Sequence, residues 1–263
     1  TQIWRIDGTE LVTLKGHSEY VCAGSWSPDG KRVATASKDD TVRLWDADGT
    51  PGPVLRSSHG EMFCVKWSPD GTWIATGGKE SPVRLWRSDG TPGPILASRE
   101  SIPDFAWHPD GNIFAAACSD KSLRLFSSDG TAIGTLGGYT YTVTRVDWNS
   151  TGDLIASGSG REFMLRRWNS DQTPGPIIER QSHNANSFVF SPDGTQLAGI
   201  LGSRPQSVGL LNVGGSAIMK SLGSASDIRE IIWNPRGDRI ASVGFDNLLR
   251  FWTLDVKAEV ILN

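Results

Sequence analysis

Six times along this chain an apolar-aromatic stretch runs into a Pro-Asp-Gly-type turn and is followed by a Val-Arg-Leu-Trp-type strand. The full form is Trp26-Ser27-Pro28-Asp29-Gly30 with Val42-Arg43-Leu44-Trp45-Asp46. It returns at Trp67–Gly71 with Val83–Trp86 and at Trp107–Gly111 with Leu123–Phe126. It drifts at Trp148–Gly152 with Leu165–Trp168 and at Phe190–Gly194 with Val208–Leu211, then recovers at Trp233–Gly237 with Leu248–Trp252. The aromatic anchors lie 41, 40, 41, 42 and 43 residues apart. A period of about 40–45 residues marks a repeat architecture, in which each unit buries its faces only against its neighbours. That period decides the architecture before any single residue is weighed. It also lowers the odds of an enzyme, because repeat arrays mostly supply surfaces.

Each repeat reads as four short strands. In the clearest copy these are Val21–Ser27, Arg32–Ser37, Thr41–Asp46 and Pro53–Arg56. β-Branched and aromatic residues fill the strands, and Pro-Asp-Gly or Asp-Gly supplies the turns. Val42 and Leu44 alternate with Arg43 and Trp45, so both faces carry bulk, as in a small sheet packed between two others. Radially stacked four-stranded sheets leave only short, protected edges, so the expected fold is an all-β propeller.

Composition excludes several functions. The 30 glycines and 14 prolines fall mostly in evenly spaced turns, so they mark a β meander and not disorder. A formal charge of −3 with no basic stripe argues against nucleic acid as the partner. No apolar run reaches spanning length and no leader pattern opens the chain, so no membrane partner is expected. Cys22, Cys64 and Cys118 lack Cys-x-x-Cys spacing and read as small buried residues in a reducing compartment, which places the chain in the cytoplasm. The absence of an initiator Met at Thr1 suggests a piece of a longer protein.

No chemistry motif survives inspection, and no cofactor or metal is expected. There is no Gly-x-Ser-x-Gly elbow, phosphate loop or His-x-x-x-His pair. Asp29, Asp70, Asp110 and Asp193 recur in a Pro-Asp-Gly context that calls for turn formation and not for calcium or acid–base work. His17, His59, His108 and His183 sit at scattered repeat positions, and His108 replaces the Ser of one turn.

At these residues the chain resembles the WD-repeat (Trp-Asp) β-propeller family, over nearly its whole length from about Gln2 to Asp255. The best copy joins Gly16-His17 to Ser37, Asp39 and Trp45-Asp46. The resemblance implies a buried structural network of His17, Thr35 or Ser37, Asp39 and Trp45, with a partial copy in His59, Thr76, Glu80 and Trp86. Elsewhere the set decays: Glu100 stands in the His place beside Asp120 and Phe126, and Leu211 stands where a Trp would serve His183. The loop style resembles bacterial arrays of this family.

Six complete units are preceded by an N-terminal half blade, with Gln2–Asp7 as a third strand and Leu11–Leu14 as a fourth. Seven positions with one incomplete is the preferred count, and six closing blades the alternative. A single domain spanning 1–263 is expected. The loop Asp48-Gly49-Thr50-Pro51-Gly52-Pro53 is nearly copied at Asp89–Pro94 and again at Asp171–Pro176. Its stiffness suits a docking rim, and recent duplication explains the same identity without function. On the opposite, top face, the loops offer Tyr20, Met62, Phe63, Tyr139 and Tyr141 with Lys38, Lys79, Arg161, Arg204 and Phe245. Aromatics and Arg dominate binding hot spots, so this region is the candidate for a peptide or loop carrying acidic residues.

The leading expectation is therefore a non-catalytic protein- or peptide-binding scaffold or sensor, a module of a larger signalling protein. A structural module that self-associates through the incomplete blade is the alternative. A propeller hydrolase comes third, since it would need convergent His, Asp and Ser at the axis.

Overall fold

In a computed structural model, the structure describes residues 1–5, 9–56, 60–79, 81–96, 100–159, 162–169, 173–181, 187–201, 206–213, 220–225, 228–246, 248–254 and 258–262. Every regular element among them is a β-strand. They form two compact units, Thr1–Gly137 and Gly138–Asn263.

The first unit opens with a two-stranded sheet, β1 (Gln2–Trp4) and β2 (Glu10–Thr13). Blade 1 follows as β3 (Val21–Trp26), β4 (Arg32–Ser37), β5 (Thr41–Asp46) and β6 (Pro51–Arg56). Blade 2 comprises β7 (Met62–Trp67), β8 (Trp73–Gly78), β9 (Ser81–Arg87) and β10 (Pro92–Ile95). Blade 3 comprises β11 (Asp104–Trp107), β12 (Ile113–Cys118), β13 (Ser122–Ser127) and β14 (Ala132–Leu136).

The second unit repeats the plan three times. Blade 4 holds β15 (Arg145–Trp148), β16 (Leu154–Ser159), β17 (Glu162–Trp168) and β18 (Pro174–Gln181). Blade 5 holds β19 (Phe188–Phe190), β20 (Gln196–Leu201), β21 (Gln206–Asn212) and β22 (Lys220–Ala225). Blade 6 holds β23 (Ile228–Trp233), β24 (Arg239–Gly244), β25 (Leu249–Thr253) and β26 (Ala258–Leu262). All six blades are antiparallel four-stranded meanders, and the N-terminal pair is an additional partial sheet.

The turn between the first and second strands is built the same way each time. In blade 1 the Gly30 N–H donates to the Ser27 carbonyl (2.9 Å), and the Lys31 N–H donates to Asp29 Oδ1 (3.1 Å). Ser27 Oγ donates to the same carboxylate oxygen at 2.6 Å. Gly30 sits at φ +68°, where a β-carbon is strained. The repeated carboxylates Asp29, Asp70, Asp110 and Asp193 are thus turn acceptors, and these hydrogen bonds hold Asp29 below the usual carboxylate range. His108 plays the serine part in its turn, with Nδ1 2.7 Å from Asp110 Oδ1.

One strand boundary differs from the sequence reading. The fourth strand of blade 1 begins at Pro51, so the first Pro-Gly-Pro motif lies within the strand rather than in the loop before it. Proline is tolerated there because β6 is the outer edge of its sheet, where a missing N–H costs no ladder bond. A bulge between Arg43 and Trp45 marks the same place in the pairing with β5.

Each core lies between consecutive sheets. Ile3 and Leu14 pack on Val33 and Trp45 between the partial sheet and blade 1. Ala34, Ala36, Val42 and Leu44 of blade 1 meet Met62, Val65 and Trp67 of blade 2. The same layering joins Leu85 to Phe105 and Phe114 in the first unit, and Leu165 to Phe188 and Phe190 in the second. The small side chains of the second strand let the aromatic anchor of the next blade approach closely.

Candidate functional site

The most ordered polar constellation is buried in blade 1. Trp45 Nε1 donates to Thr35 Oγ1 at 2.8 Å. The Thr35 hydroxyl lies 2.8 Å from His17 Nε2, and His17 Nδ1 lies 2.8 Å from Asp39 Oδ2. With Nδ1 carrying the proton, the bonds run in one direction, indole to hydroxyl to imidazole and imidazole to carboxylate. Asp39 also accepts from the Thr41 hydroxyl (2.5 Å) and the Ser18 N–H (3.1 Å). Burial works against its charge, but the hydrogen bonds from Thr41, His17 and Ser18 outweigh it and lower the carboxyl to about 2. The network fastens two loops of the blade, the one before β3 and the turn between β4 and β5, to one tryptophan.

Thr35, not Ser37, is the centre of this network. Ser37 sits at its margin, accepting from the Asp39 N–H (3.2 Å) and donating to the Glu19 carbonyl (3.2 Å). In blade 2, Trp86 Nε1 donates to Thr76 Oγ1 at 2.9 Å, while His59 and Glu80 lie outside the described residues. Blade 6 repeats the bond between Trp252 Nε1 and Ser242 Oγ at 2.8 Å. The pairing obeys a rule along the repeats. Where the second strand carries a hydroxyl at this place (Thr35, Thr76, Ser157, Ser242), the third carries Trp45, Trp86, Trp168 and Trp252. Where it carries Ala116 or Gly199, the third carries Phe126 or Leu211, which need no acceptor. In blade 4 the third strand is one residue longer, its pairing places Arg166 opposite Ile155 as Trp45 lies opposite Val33, and Ser157 Oγ is 2.5 Å from Tyr139 Oη.

The surface candidates divide by unit. On the first, Tyr20 is 78% exposed, and the Lys38 N–H donates to its carbonyl at 3.0 Å. Lys38 Nζ is 3.6 Å from the Glu61 carboxylate, and the Lys79 N–H donates to the Glu61 carbonyl at 2.8 Å. Tyr20, Lys38 and Lys79 therefore share one patch, with Phe63 half-buried on β7 nearby in sequence. Met62 does not join them. A bulge between Met62 and Cys64 turns both side chains inward, and Met62 is buried in the core of blades 1 and 2. On the second unit, Tyr141 and Phe245 are exposed, and the Arg229 guanidinium lies 5.7 Å from the centre of the Phe245 ring. Arg161 and Arg204 lie outside the described residues.

The Pro-Gly-Pro loops have a packing role that their sequence did not reveal. A β-carbon on Gly90 would lie 2.8 Å from the Pro53 β-carbon, and one on Gly130 would lie 2.8 Å from Pro94. Gly90 and Gly130 are thus seated on a proline of the preceding repeat, whereas Gly49 is seated on Val12 of the partial sheet. The three cysteines are free thiols. Cys64 and Cys118 are buried, and burial pushes the Cys118 thiol up to about 11. Cys22 departs from the sequence reading, since it is only half-buried.

Comparison with known proteins supports the fold. The model of the WD domain, G-beta repeat, matches residues 8–46 and 217–253. The model of the anaphase-promoting complex subunit 4 WD40 domain matches residues 65–151. The β-propeller domain of Cps50 (Swd1) from Myceliophteria thermophila superposes with a TM-score of 0.84 at 17% identity, over 96% of this chain and 89% of that one. The chain is a β-propeller, and WD-repeat models match parts of it. Its curated relatives are larger proteins of which it matches a part. It is 30% identical to the WD repeat and HMG-box DNA-binding protein 1 of Xenopus laevis over 113 residues, 42% of this chain and 10% of the relative. It is 29% identical to the WD repeat-containing protein slp1 of Schizosaccharomyces pombe over 126 residues, 46% of this chain and 25% of the relative. Both relatives are eukaryotic, so the bacterial reading of the propeller's loops gains no support from them.

Proposed function

We propose that this propeller is a non-catalytic platform that binds a protein or peptide, with recognition centred on the patch of Tyr20, Lys38 and Lys79. The observation that carries the reading is Tyr20, a large amphipathic side chain left 78% exposed beside two lysines. A rigid aromatic anchored by its own backbone bond, with basic neighbours, suits a segment bearing acidic residues around an apolar contact. The described histidines support a role without chemistry, since His17 is bonded through both ring nitrogens and His108 is held in a turn. In a larger signalling or sensor protein the propeller would supply the docking module. The test is an array of Asp- and Glu-rich peptides probed with the propeller and with a Tyr20→Ala/Lys38→Glu variant of matched melting temperature. Retention by the first and loss by the second is expected. Equal retention by both would move recognition off this patch and reject the reading.

A further inference from the structure

The top-face loops of the first unit are set by one bond that recurs in each of its blades. The residue after the second strand donates its N–H to the carbonyl of the residue at the entry to the first. It does so from Lys38 to Tyr20 (3.0 Å), from Lys79 to Glu61 (2.8 Å) and from Ser119 to Ser101 (3.0 Å). The entry of one blade also lies against the end of the second strand in the blade before it. The Ile102 N–H donates to the Gly78 carbonyl at 3.0 Å, and a β-carbon on Gly77 would lie 3.1 Å from the Ile102 side chain. Three paired positions therefore follow one another along the rim: Tyr20 with Lys38, Glu61 with Lys79, and Ser101 with Ser119.

That register gives the two lysines different surroundings. Lys38 Nζ reaches forward to the entry residue of blade 2 and lies 3.6 Å from Glu61 Oε2. The same step forward from Lys79 ends at Ser101, which carries no charge. Glu100, the acid beside Ser101 in sequence, accepts from Ser119 Oγ at 3.2 Å. Among the described residues no carboxylate lies within ion-pair distance of Lys79 Nζ, and Lys79 is exposed. The Lys38–Glu61 pair is itself open to water, with side chains 45% and 36% exposed, so separating the two charges costs little. One cation of the patch is thus loosely met within the chain, and the other is not.

We infer that Lys79 is the anchor for the acidic residue of the bound segment, and that Glu61 is an internal competitor that engages Lys38 in its place. The inference rests on the peptide-binding reading above and gives it a charge order. A segment crossing from blade 1 to blade 2 meets an apolar contact at Tyr20, a nearly neutral pair at Lys38 and Glu61, and an uncompensated cation at Lys79. An acid set against the middle of that order gains from Lys38 about what it loses to Glu61. An acid at Lys79 meets no like charge of the described residues. The patch therefore favours segments whose apolar side chain and carboxylate are set apart, and it gains little from further acids between them.

The test adds to the Asp- and Glu-rich array a set of neutral Gly-Ser-Gln peptides, each carrying one Leu and one Glu-Glu pair at increasing separation and in both orders. The best-retained peptide is then titrated by fluorescence anisotropy against the full chain and its variants. The side chains changed carry none of the loop bonds, which are made by backbone atoms. Lys79→Gln should weaken binding by about fivefold, and Glu61→Gln should tighten it by about two- to fivefold. Lys38→Gln/Glu61→Gln, which keeps net charge, should stay within about twofold of the parent. Lys31→Gln, the same charge change in the turn between β3 and β4, is the control and should also stay within about twofold. A Lys79→Gln loss no larger than that of Lys31→Gln, or a loss in the paired variant equal to that of Lys79→Gln, overturns the anchor. Glu61→Gln without tightening overturns the competitor. In all these cases loss of binding in Tyr20→Ala leaves the peptide-binding reading standing. No retained peptide, or equal binding by Tyr20→Ala, would instead reject that reading and the inference with it.

Discussion

Replacing Thr35 by Val is the sharpest test of what holds blade 1 together. The change keeps shape and nearly volume while deleting one hydroxyl. What it strands is a pair of buried groups: the indole N–H of Trp45, a residue 2% exposed, and Nε2 of His17, whose side chain is 6% exposed. Losing two hydrogen bonds of about 1 kcal/mol net each, with a buried donor left unsatisfied at about 1–3 kcal/mol, gives a destabilisation of roughly 3–5 kcal/mol. A chain of this size loses about 2–4 °C of melting temperature per kcal/mol, so a fall of roughly 6–20 °C is expected. Repeat arrays need not unfold in one step, so the blade should also be read locally, through exchange of the β4 and β5 amides.

The companion variant supplies the control. Thr35→Val with Trp45→Phe removes donor and acceptor together, reproducing the apolar match that blade 3 uses with Ala116 and Phe126. The pair should be less costly than the sum of its single changes, with a coupling of about 1–2 kcal/mol in a double-mutant cycle. Ser37→Ala, which touches only the margin of the network, should cost less than about 1 kcal/mol. A Thr35→Val loss below about 0.5 kcal/mol, or strict additivity with Trp45→Phe, would refute the claim that the hydroxyl ties the blade.

Three further outcomes follow from the geometry. Asp39 has a folded pKa of about 2 against an ordinary 3.8. Its contribution, about 2 kcal/mol, is therefore complete above pH ~4 and lost as pH falls toward ~2, and urea titrations of Asp39→Asn should lack that acid limb. Gly90→Ala should destabilise by about 1–3 kcal/mol in thermal melts, because the new β-carbon meets Pro53 at a φ of +90° that alanine rarely adopts. A native-state titration with a thiol reagent should label Cys22 first and reach Cys64 and Cys118 only on unfolding, and equal rates for all three would contradict their burial.

How much of this was legible depends on which periodicity carried the information. The forty-residue period and the Pro-Asp-Gly turns placed the four strands of blade 1 within two residues, because turn chemistry is local and glycine at positive φ is not interchangeable. Local alternation was weaker. Met62 reads as a surface residue until the bulge at Met62/Cys64 shifts the register and sends it inward, and no neighbour in sequence announces that shift. Thr35 and Ser37 lie two residues apart on one face of β4, so strand period cannot rank them. Comparison between repeats can: hydroxyl goes with tryptophan, and alanine or glycine goes with phenylalanine or leucine. The same comparison separates Lys38 from Lys79, which a list of basic residues treats alike. Both follow the second strand of their blade, and the entry residue of the next blade is Glu61 for the first and Ser101 for the second. A lone exposed lysine is uninformative on a protein surface. Set against its counterpart one repeat earlier, Lys79 reports a position where the acid has been replaced, and a charge is therefore legible only together with the repeat that follows it.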